Sequence, residues 1–347
     1  MTNEKVCVTG ASGFLASWLV KRLLEEGYHV VGTVRDPDDA SKTSHLWELP
    51  GARERLELKK ADLVTQGAFD DIVQGCHGVF HVAAAVTFTY KEDPQAEIVD
   101  PCLLGTLNVL NACKRSTTVK RVVCTSSVAA VRVRNDFKPD DVLDESVWSS
   151  PDCCRETQAS MWYGLGKTLS EQAALEFGKE SGIDVITIAP SLIAGELLSS
   201  RPTASAADIL RLLQGKPFYI GRKKRGPKQW MDHTGHVHLD DVAQAHLLAY
   251  TNPKASGRYV CSAINMSAIE LASFMSKRYP KHKIASTDEI EVRWPANFKG
   301  FSSRKLQDDL GIQFKSLEQM FDDCVESLER KGLLDASKSR SLGSFPS

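Results

Sequence analysis

A doubly wound α/β architecture, a parallel sheet with helices on both faces and a smaller, mostly C-terminal lobe, is what this chain of 347 residues predicts. Three observations carry the prediction. Short β-branched runs alternate with amphipathic helical patterns through the first two-thirds of the chain, as successive βαβ units do. The first unit opens with a glycine-spaced turn between strand and helix. No internal repeat or low-complexity linker breaks the pattern, and 42% hydrophobic with 25% charged residues suits an ordinary globular core.

Taken in order, "KVCVTG" reads as a strand and "FLASWLVKRLLEEG" as a helix closed by Gly27. "HVVGTV", "RLELKKADL", "GVFHVAAA", "VKRVVCTSSVAAV" and "DVITIAP" read as further strands. Long helices are predicted at "AEIVDPCLLGTLNVLNACKR" and "YGLGKTLSEQAALEFGKESG". After Ser191 the alternation loosens. "TASAADILRLLQGK", "SAIELASFMSKRYP" and "FKSLEQMFDDCVESLERKG" read as amphipathic helices of the smaller lobe, and "HVHLDDVAQAHLLAY" threads back to the sheet. The expected organisation is a sheet domain over 1–190 with a returning segment at 235–260, a second lobe over 191–234 and 261–334, and a frayed polar tail over 335–347.

Composition narrows the class. A formal net charge of −1 gives no reason to expect a nucleic-acid or acidic-membrane partner. The local exception, "RKKRGPKQW" (222–230), has a Gly-Pro turn inside it and reads as a solvated loop. Nine cysteines occur without any C-x-x-C pairing, so no metal centre is expected and a reducing compartment is. Cys7, Cys124 and Cys261 lie in apolar runs where a thiol acts as a small hydrophobe, and the vicinal Cys153-Cys154 reads as two inert thiols. The N-terminus lacks a secretory apolar core and no apolar run approaches a membrane span, so a cytoplasmic location is expected.

The opening turn is G-x-x-G-x-x-A, Gly10 to Ala16. Gly10 can take the tight backbone that turns the chain. Gly13, without Cβ, admits a pyrophosphate to the first helical N–H groups, and Ala16 keeps the helix close to the sheet. Ser12, Phe14 and Leu15 complete this cofactor turn. Where an NAD-selective fold places Asp or Glu after the second strand, this chain has Arg35, with Lys42 following. Two cations suit a 2′-phosphate, so the expected coenzyme is NADPH/NADP+. Asp62, with Leu63, ends "KKADL" where a carboxylate can take the adenine amino group, and Ala83, Ala84 and Ala85 are small where backbone must pass a cofactor.

Chemistry is concentrated in "MWYGLGKTLSEQAALEF". Tyr163 and Lys167 stand at i and i+4, about 5–6 Å apart on one helix face. A phenol titrating near ~10 is a poor acid at neutral pH, and a neighbouring ammonium favours its anion. A hydroxyl at the carboxyl end of a parallel strand faces the ligand crevice. Ser127, or with less support Ser126, can therefore donate to a carbonyl oxygen as charge builds on it.

These residues, with "VTGASGFLASWLVKRLLEEGY", "VRDP", "GCHGVFHVA", "KRVVCTSS" and "ASGRYVCSA", resemble the extended short-chain dehydrogenase/reductases, in the plant branch of dihydroflavonol 4-reductases, anthocyanidin reductases and cinnamoyl-CoA reductases. The resemblance runs to about Leu334 and implies a Rossmann domain. "HLWELPGARERLELKKADL", "VRVRNDF" and "FKSLEQMFDDCVESL" are similar to the α-pyrone reductases within that branch, which implies NADPH-dependent reduction of a ketone on an alkyl α-pyrone polyketide, a precursor of the sporopollenin of pollen walls. It further implies Ser127, Tyr163 and Lys167 as catalytic residues, with Thr125, Pro190, Ser191, Leu192 and Ile193 beside the nicotinamide. Dihydroflavonol reductases carry an asparagine where this chain has Arg132, so Arg132 is expected to face substrate and to disfavour dihydroflavonols. Met161-Trp162-Tyr163-Gly164-Leu165-Gly166-Lys167 departs from the N-W-Y-C-Y signature of cinnamoyl-CoA reductases and from the serine usual at 166. The expected partner is a small apolar or phenolic carbonyl compound. The implied state is a monomer or weak homodimer, with association to other pathway enzymes or to the endoplasmic reticulum surface compatible with it.

Overall fold

Strand and helix alternate from the start of the chain. β1 (Lys5–Val8) leads into α1 (Phe14–Glu25), followed by β2 (His29–Val34), α2 (Ala40–Trp47), the single turn α3 (Ala52–Arg55) and β3 (Leu56–Lys60). β4 (Gly78–His81), α4 (Asp100–Arg115), β5 (Arg121–Thr125), β6 (Val142–Leu143), α5 (Pro151–Glu156), α6 (Trp162–Ser181) and β7 (Asp184–Pro190) come next. Then come β8 (Leu192–Ala194), α7 (Ala204–Leu213), β9 (Trp230–Met231), β10 (His233–His238), α8 (Leu239–Thr251) and β11 (Arg258–Cys261). The chain closes with β12 (Ile264–Ser267), α9 (Ala268–Arg278), β13 (Val292–Trp294), β14 (Gly300–Phe301), α10 (Arg304–Leu310) and α11 (Leu317–Arg330). This computed structural model describes residues 4–84, 90–156, 161–200, 204–216, 230–231, 233–284, 292–294 and 298–334. Ala85, the basic run at 222–229 and the tail at 335–347 lie outside the described residues.

Seven strands form one parallel sheet in the order β11-β7-β5-β4-β1-β2-β3. The winding reverses at β1, with β2 on one side and β4 on the other, which opens a crevice at the carboxyl ends of these strands. Period-two alternation explains why the strands read as continuous apolar runs: both faces are covered. Val6 and Val8 pack with Leu15 and Leu19 of α1 and Val242 of α8. Cys7, between them, points to the other face, towards Val109 and Leu110 of α4 and Ala174 of α6.

A smaller sheet, β12-β10-β8, carries the second core. Ile209 and Leu213 of α7, Leu271 and Met275 of α9, and Phe321 and Leu328 of α11 pack into it. Two differences from the sequence reading bear on the site. "VKRVVCTSSVAAV" is not one strand, because the chain leaves the sheet after Thr125 and Ser127 starts a 3-10 turn at Val128–Ala130, its Oγ accepting the Ala129 N–H at 3.2 Å. The sheet also has a seventh strand, β11, which the sequence marks only by the apolar run around Cys261; it pairs with β7 from Arg258 to Cys261.

Candidate active site

The turn from β1 to α1 is built on absent side chains. Gly10 sits at φ +67°, and a Cβ there would lie 2.9 Å from the Ala83 Cβ. Its N–H donates to Thr33 Oγ1 at 3.2 Å, and Gly13 N–H closes the turn onto Gly10 O at 2.8 Å. Gly13 is the N-cap of α1, where no side chain caps the helix and the first turn holds no acidic residue. The N-terminal N–H groups of a twelve-residue helix are thus left for an anion. Ser12 and Phe14 flank this turn half-buried, whereas Leu15 is buried in the core and offers a ligand only its backbone.

Beyond β2, Arg35 is exposed and has no side-chain partner among the described residues. Lys42 is engaged: its Nζ pairs with Asp39 at 2.8 Å and pulls that carboxyl down to about 2. Asp39 also caps α2 by accepting the Ser41 N–H at 3.1 Å. An exposed pair of this kind contributes little, so a phosphate can compete for Lys42. Asp62 is exposed past β3 and accepts the Val64 N–H at 3.1 Å. Leu63 lies against α4, where Asn108 Nδ2 donates to its carbonyl at 2.8 Å.

Ala83 and Ala84 follow β4, half-buried, and a buried polar chain holds them. Ala83 N–H donates to Thr9 Oγ1 at 3.0 Å, and Thr9 Oγ1 lies 3.0 Å from His81 Nδ1. His81 Nε2 is 3.2 Å from Thr106 Oγ1, which donates to Cys102 O at 2.9 Å. The links are met by a neutral imidazole, with Thr9 donating to Nδ1 and Nε2–H donating to Thr106. Burial, with Lys167 adding repulsion, pushes its pKa down to about 3, which agrees. Thr9 and Thr106 have no place in the sequence reading; Thr9 ends an apolar run, which was an available signal, whereas Thr106 lies in the middle of α4 with nothing to mark it.

Tyr163 begins α6 half-buried, and Lys167, one turn on, is buried and donates from Nζ to Thr125 O at 3.0 Å. Thr125 Oγ1 is held in turn by His246 Nε2 at 2.7 Å. The two serines diverge. Ser126 is buried with its Oγ donating to Glu171 at 2.7 Å, whereas Ser127 is partly exposed and its O–H has no acceptor among the described residues. The two glycines of α6 allow close packing. A Cβ on Gly164 would lie 3.3 Å from Ala129 O, and one on Gly166 would lie 3.2 Å from Cys102.

Arg132 stands in the segment after that 3-10 turn, near enough to Tyr163 for their charges to interact. Its Nε is buried without a partner among the described residues, and burial lowers the guanidinium pKa to about 10, leaving it a cation at neutral pH. Pro190 ends β7, buried, and Ile193 lies in β8 in register with Val237 of β10. A small cavity of about 10 Å³ is lined by Leu192, Ile193, Ile209, Leu212 and Leu271. Another, of about 20 Å³, lies behind Lys167. Among the described residues no group of three His, Cys, Asp or Glu side chains could hold a metal ion, and no helix is long and apolar enough to cross a membrane.

Comparison with known proteins agrees with this geometry. Residues 6–263 match the model of the NAD dependent epimerase/dehydratase family. Tetraketide alpha-pyrone reductase 1 of Arabidopsis thaliana is 49% identical over 330 residues, 95% of this chain and 97% of that protein. Vestitone reductase from alfalfa superposes with a TM-score of 0.77 at 36% identity, covering 94% of this chain and 99% of that one. Gre2 of Candida albicans, solved in complex with NADPH, gives a TM-score of 0.79 at 27% identity, covering 94% and 99%. The chain belongs to the NAD dependent epimerase/dehydratase family of extended short-chain dehydrogenases/reductases, and within it is an oxidoreductase of the plant dihydroflavonol-4-reductase-like branch.

Proposed function

We propose that the protein is an NADPH-dependent ketone reductase whose substrates are oxoalkyl α-pyrone polyketides. The observation that carries the reading is the convergence at the carboxyl end of β5. Ser127 with its free O–H, Tyr163 at the start of α6, and Lys167 fastened to Thr125 O at 3.0 Å share that end of the sheet with the uncapped N-terminus of α1. The glycine turn, where a Cβ on Gly10 would strike Ala83, and those uncapped N–H groups fit a dinucleotide pyrophosphate. Arg35, with no competing partner, and Lys42 favour a phosphorylated ribose over a bare one. Asp62 and Leu63 would bound the adenine, and Ala83, Ala84, Thr125, Pro190 and Ile193 the nicotinamide half.

When bound, NADPH supplies the hydride. Ser127 donates to the substrate carbonyl oxygen and holds its carbon in place, a donor aimed where negative charge develops. Tyr163 then gives its phenolic proton to the alkoxide. Lys167 sets a positive charge beside that proton transfer and orients the ribose.

Arg132 supports the substrate class. A half-buried arginine with a buried, unused Nε–H, close enough to Tyr163 for their charges to interact, suits a conjugated, electron-rich or acidic ring oxygen such as a pyrone carries. Leu192 and Ile193, half-buried just after Pro190, would give an alkyl chain an apolar surface. The test is a panel of an alkyl tetraketide α-pyrone, a dihydroflavonol, an anthocyanidin and a hydroxycinnamoyl-CoA, each with NADPH. The pyrone should have the highest kcat/KM, and Arg132→Asn should lower it at least tenfold for the pyrone alone. A preference for a flavonoid or the thioester contradicts the reading.

A further inference from the structure

We infer that Glu171 is a positioning residue of the reducing centre, acting through Ser126 on Ser127 and through α6 on Tyr163 and Lys167. The inference rests on the proposed roles of those three residues. Lys167 and Glu171 stand at i and i+4, on one face of α6. Lys167 Nζ donates to Thr125 O at 3.0 Å, and Ser126 Oγ donates to Glu171 Oε2 at 2.7 Å. Two successive turns of the helix therefore grip two successive residues at the end of β5, and the next residue is Ser127.

The carboxylate has no solvent exposure and its acceptor capacity is filled. Thr187 Oγ1 donates to Oε1 at 2.6 Å, Arg258 Nε to Oε1 at 3.1 Å, and Arg258 Nη2 to Oε2 at 3.3 Å. Arg258 spends its remaining nitrogen on Glu145 O at 3.0 Å and Val147 O at 2.8 Å, and its guanidinium carbon lies 3.4 Å from the centroid of the Trp148 ring. One ion pair thus joins α6, β5, β7, β11 and the segment after β6. Burying two charges is a poor route to stability, since an apolar pair of the same shape serves as well. Directional bonds from a planar fork do fix distance and angle, and a hydride-transfer centre is sensitive to both.

Two hydroxyls on the same carboxylate separate positioning from mere stability, because Ser126 adjoins Ser127 and Thr187 does not. With a ketone the wild type reduces, Ser126→Ala should lower kcat about tenfold, within the cost of a small misplacement, with both KM values within about twofold. Ser126→Thr should restore kcat. Thr187→Val should lower Tm while kcat stays within about twofold of wild type. Glu171→Gln should be slower than Ser126→Ala, and the double variant no slower than Glu171→Gln alone. A kcat within twofold in Ser126→Ala, an equal kcat loss in Thr187→Val, or losses that multiply in the double variant overturn the inference; the Ser126 and Thr187 arms decide it even if Glu171→Gln does not fold. Loss in Ser127→Ala with none in Ser126→Ala overturns the inference alone. Loss in Ser126→Ala with none in Ser127→Ala overturns the assignment of Ser127 as well.

Discussion

At the scale of single residues, the site depends on which polar groups are already satisfied. Ser126 and Ser127 are adjacent hydroxyls, of which the sequence favours Ser127 without giving a physical reason. The backbone separates them: Ser126 turns inward to Glu171, and Ser127 turns out to begin a 3-10 turn. Arg35 and Lys42 are likewise equivalent as charges, yet only Lys42 is tied to a carboxylate. Arg35 is therefore expected to carry coenzyme selectivity. A hydrogen bond to a charged group contributes about 1.5–3 kcal/mol, so Arg35→Ser should raise the KM for NADPH by about tenfold or more. The KM for NADH should change by less than about threefold. Steady-state kinetics with both coenzymes check this, and equal loss with both contradicts it.

At the scale of elements, α6 carries the proposed proton donor and its lysine, and its glycines explain how it seats. Helix propensity alone argues against Gly164 and Gly166 in a first turn. Packing overrides it: Gly164 passes the carbonyl of Ala129, which also accepts the Ser149 hydroxyl, and Gly166 passes Cys102 of α4. A backbone carbonyl held this way cannot swing aside. Gly164→Val should cost about 1–3 kcal/mol by overpacking and lower kcat, because it separates the start of α6 from the turn that Ser127 begins. Chemical denaturation together with kcat at saturating substrate measures both. The alternation of strand and helix and the glycine turn were legible because they are local. Glu171 and Arg258 lie inside quoted motifs, but their pairing was not legible, since the bond spans 87 residues of sequence. β11 escaped for a related reason, as a four-residue strand opening on an arginine offers little periodicity.

At the scale of the whole molecule, the fold buries several histidines as neutral rings, which ties its stability to pH. Burial pushes His236 and His246 down to about 4 and His81 to about 3, from an ordinary 6.5. Above pH 6.5 neither folded nor unfolded state binds these protons, and stability is unaffected. Below it the unfolded chain takes them up and the folded one does not, so stability falls from about pH 6.5 towards pH 4. Each ring contributes up to about 1.4 kcal/mol per pH unit. Urea unfolding from pH 7 to pH 5 should show this decline, and His246→Gln should make it shallower. A stability that is flat or rises on acidification contradicts it. On the proposed function, the sheet would present a proton donor beside a phosphorylated dinucleotide, with the residues after Pro190 next to the substrate. Tyr163→Phe tests that most directly, by NADPH titration and single-turnover reduction of an alkyl tetraketide α-pyrone. General acid catalysis is typically a factor of about 10²–10⁴, so the variant should bind NADPH within about twofold of wild type and reduce the ketone at least about a hundredfold more slowly. Turnover within a few-fold of wild type would contradict the central claim.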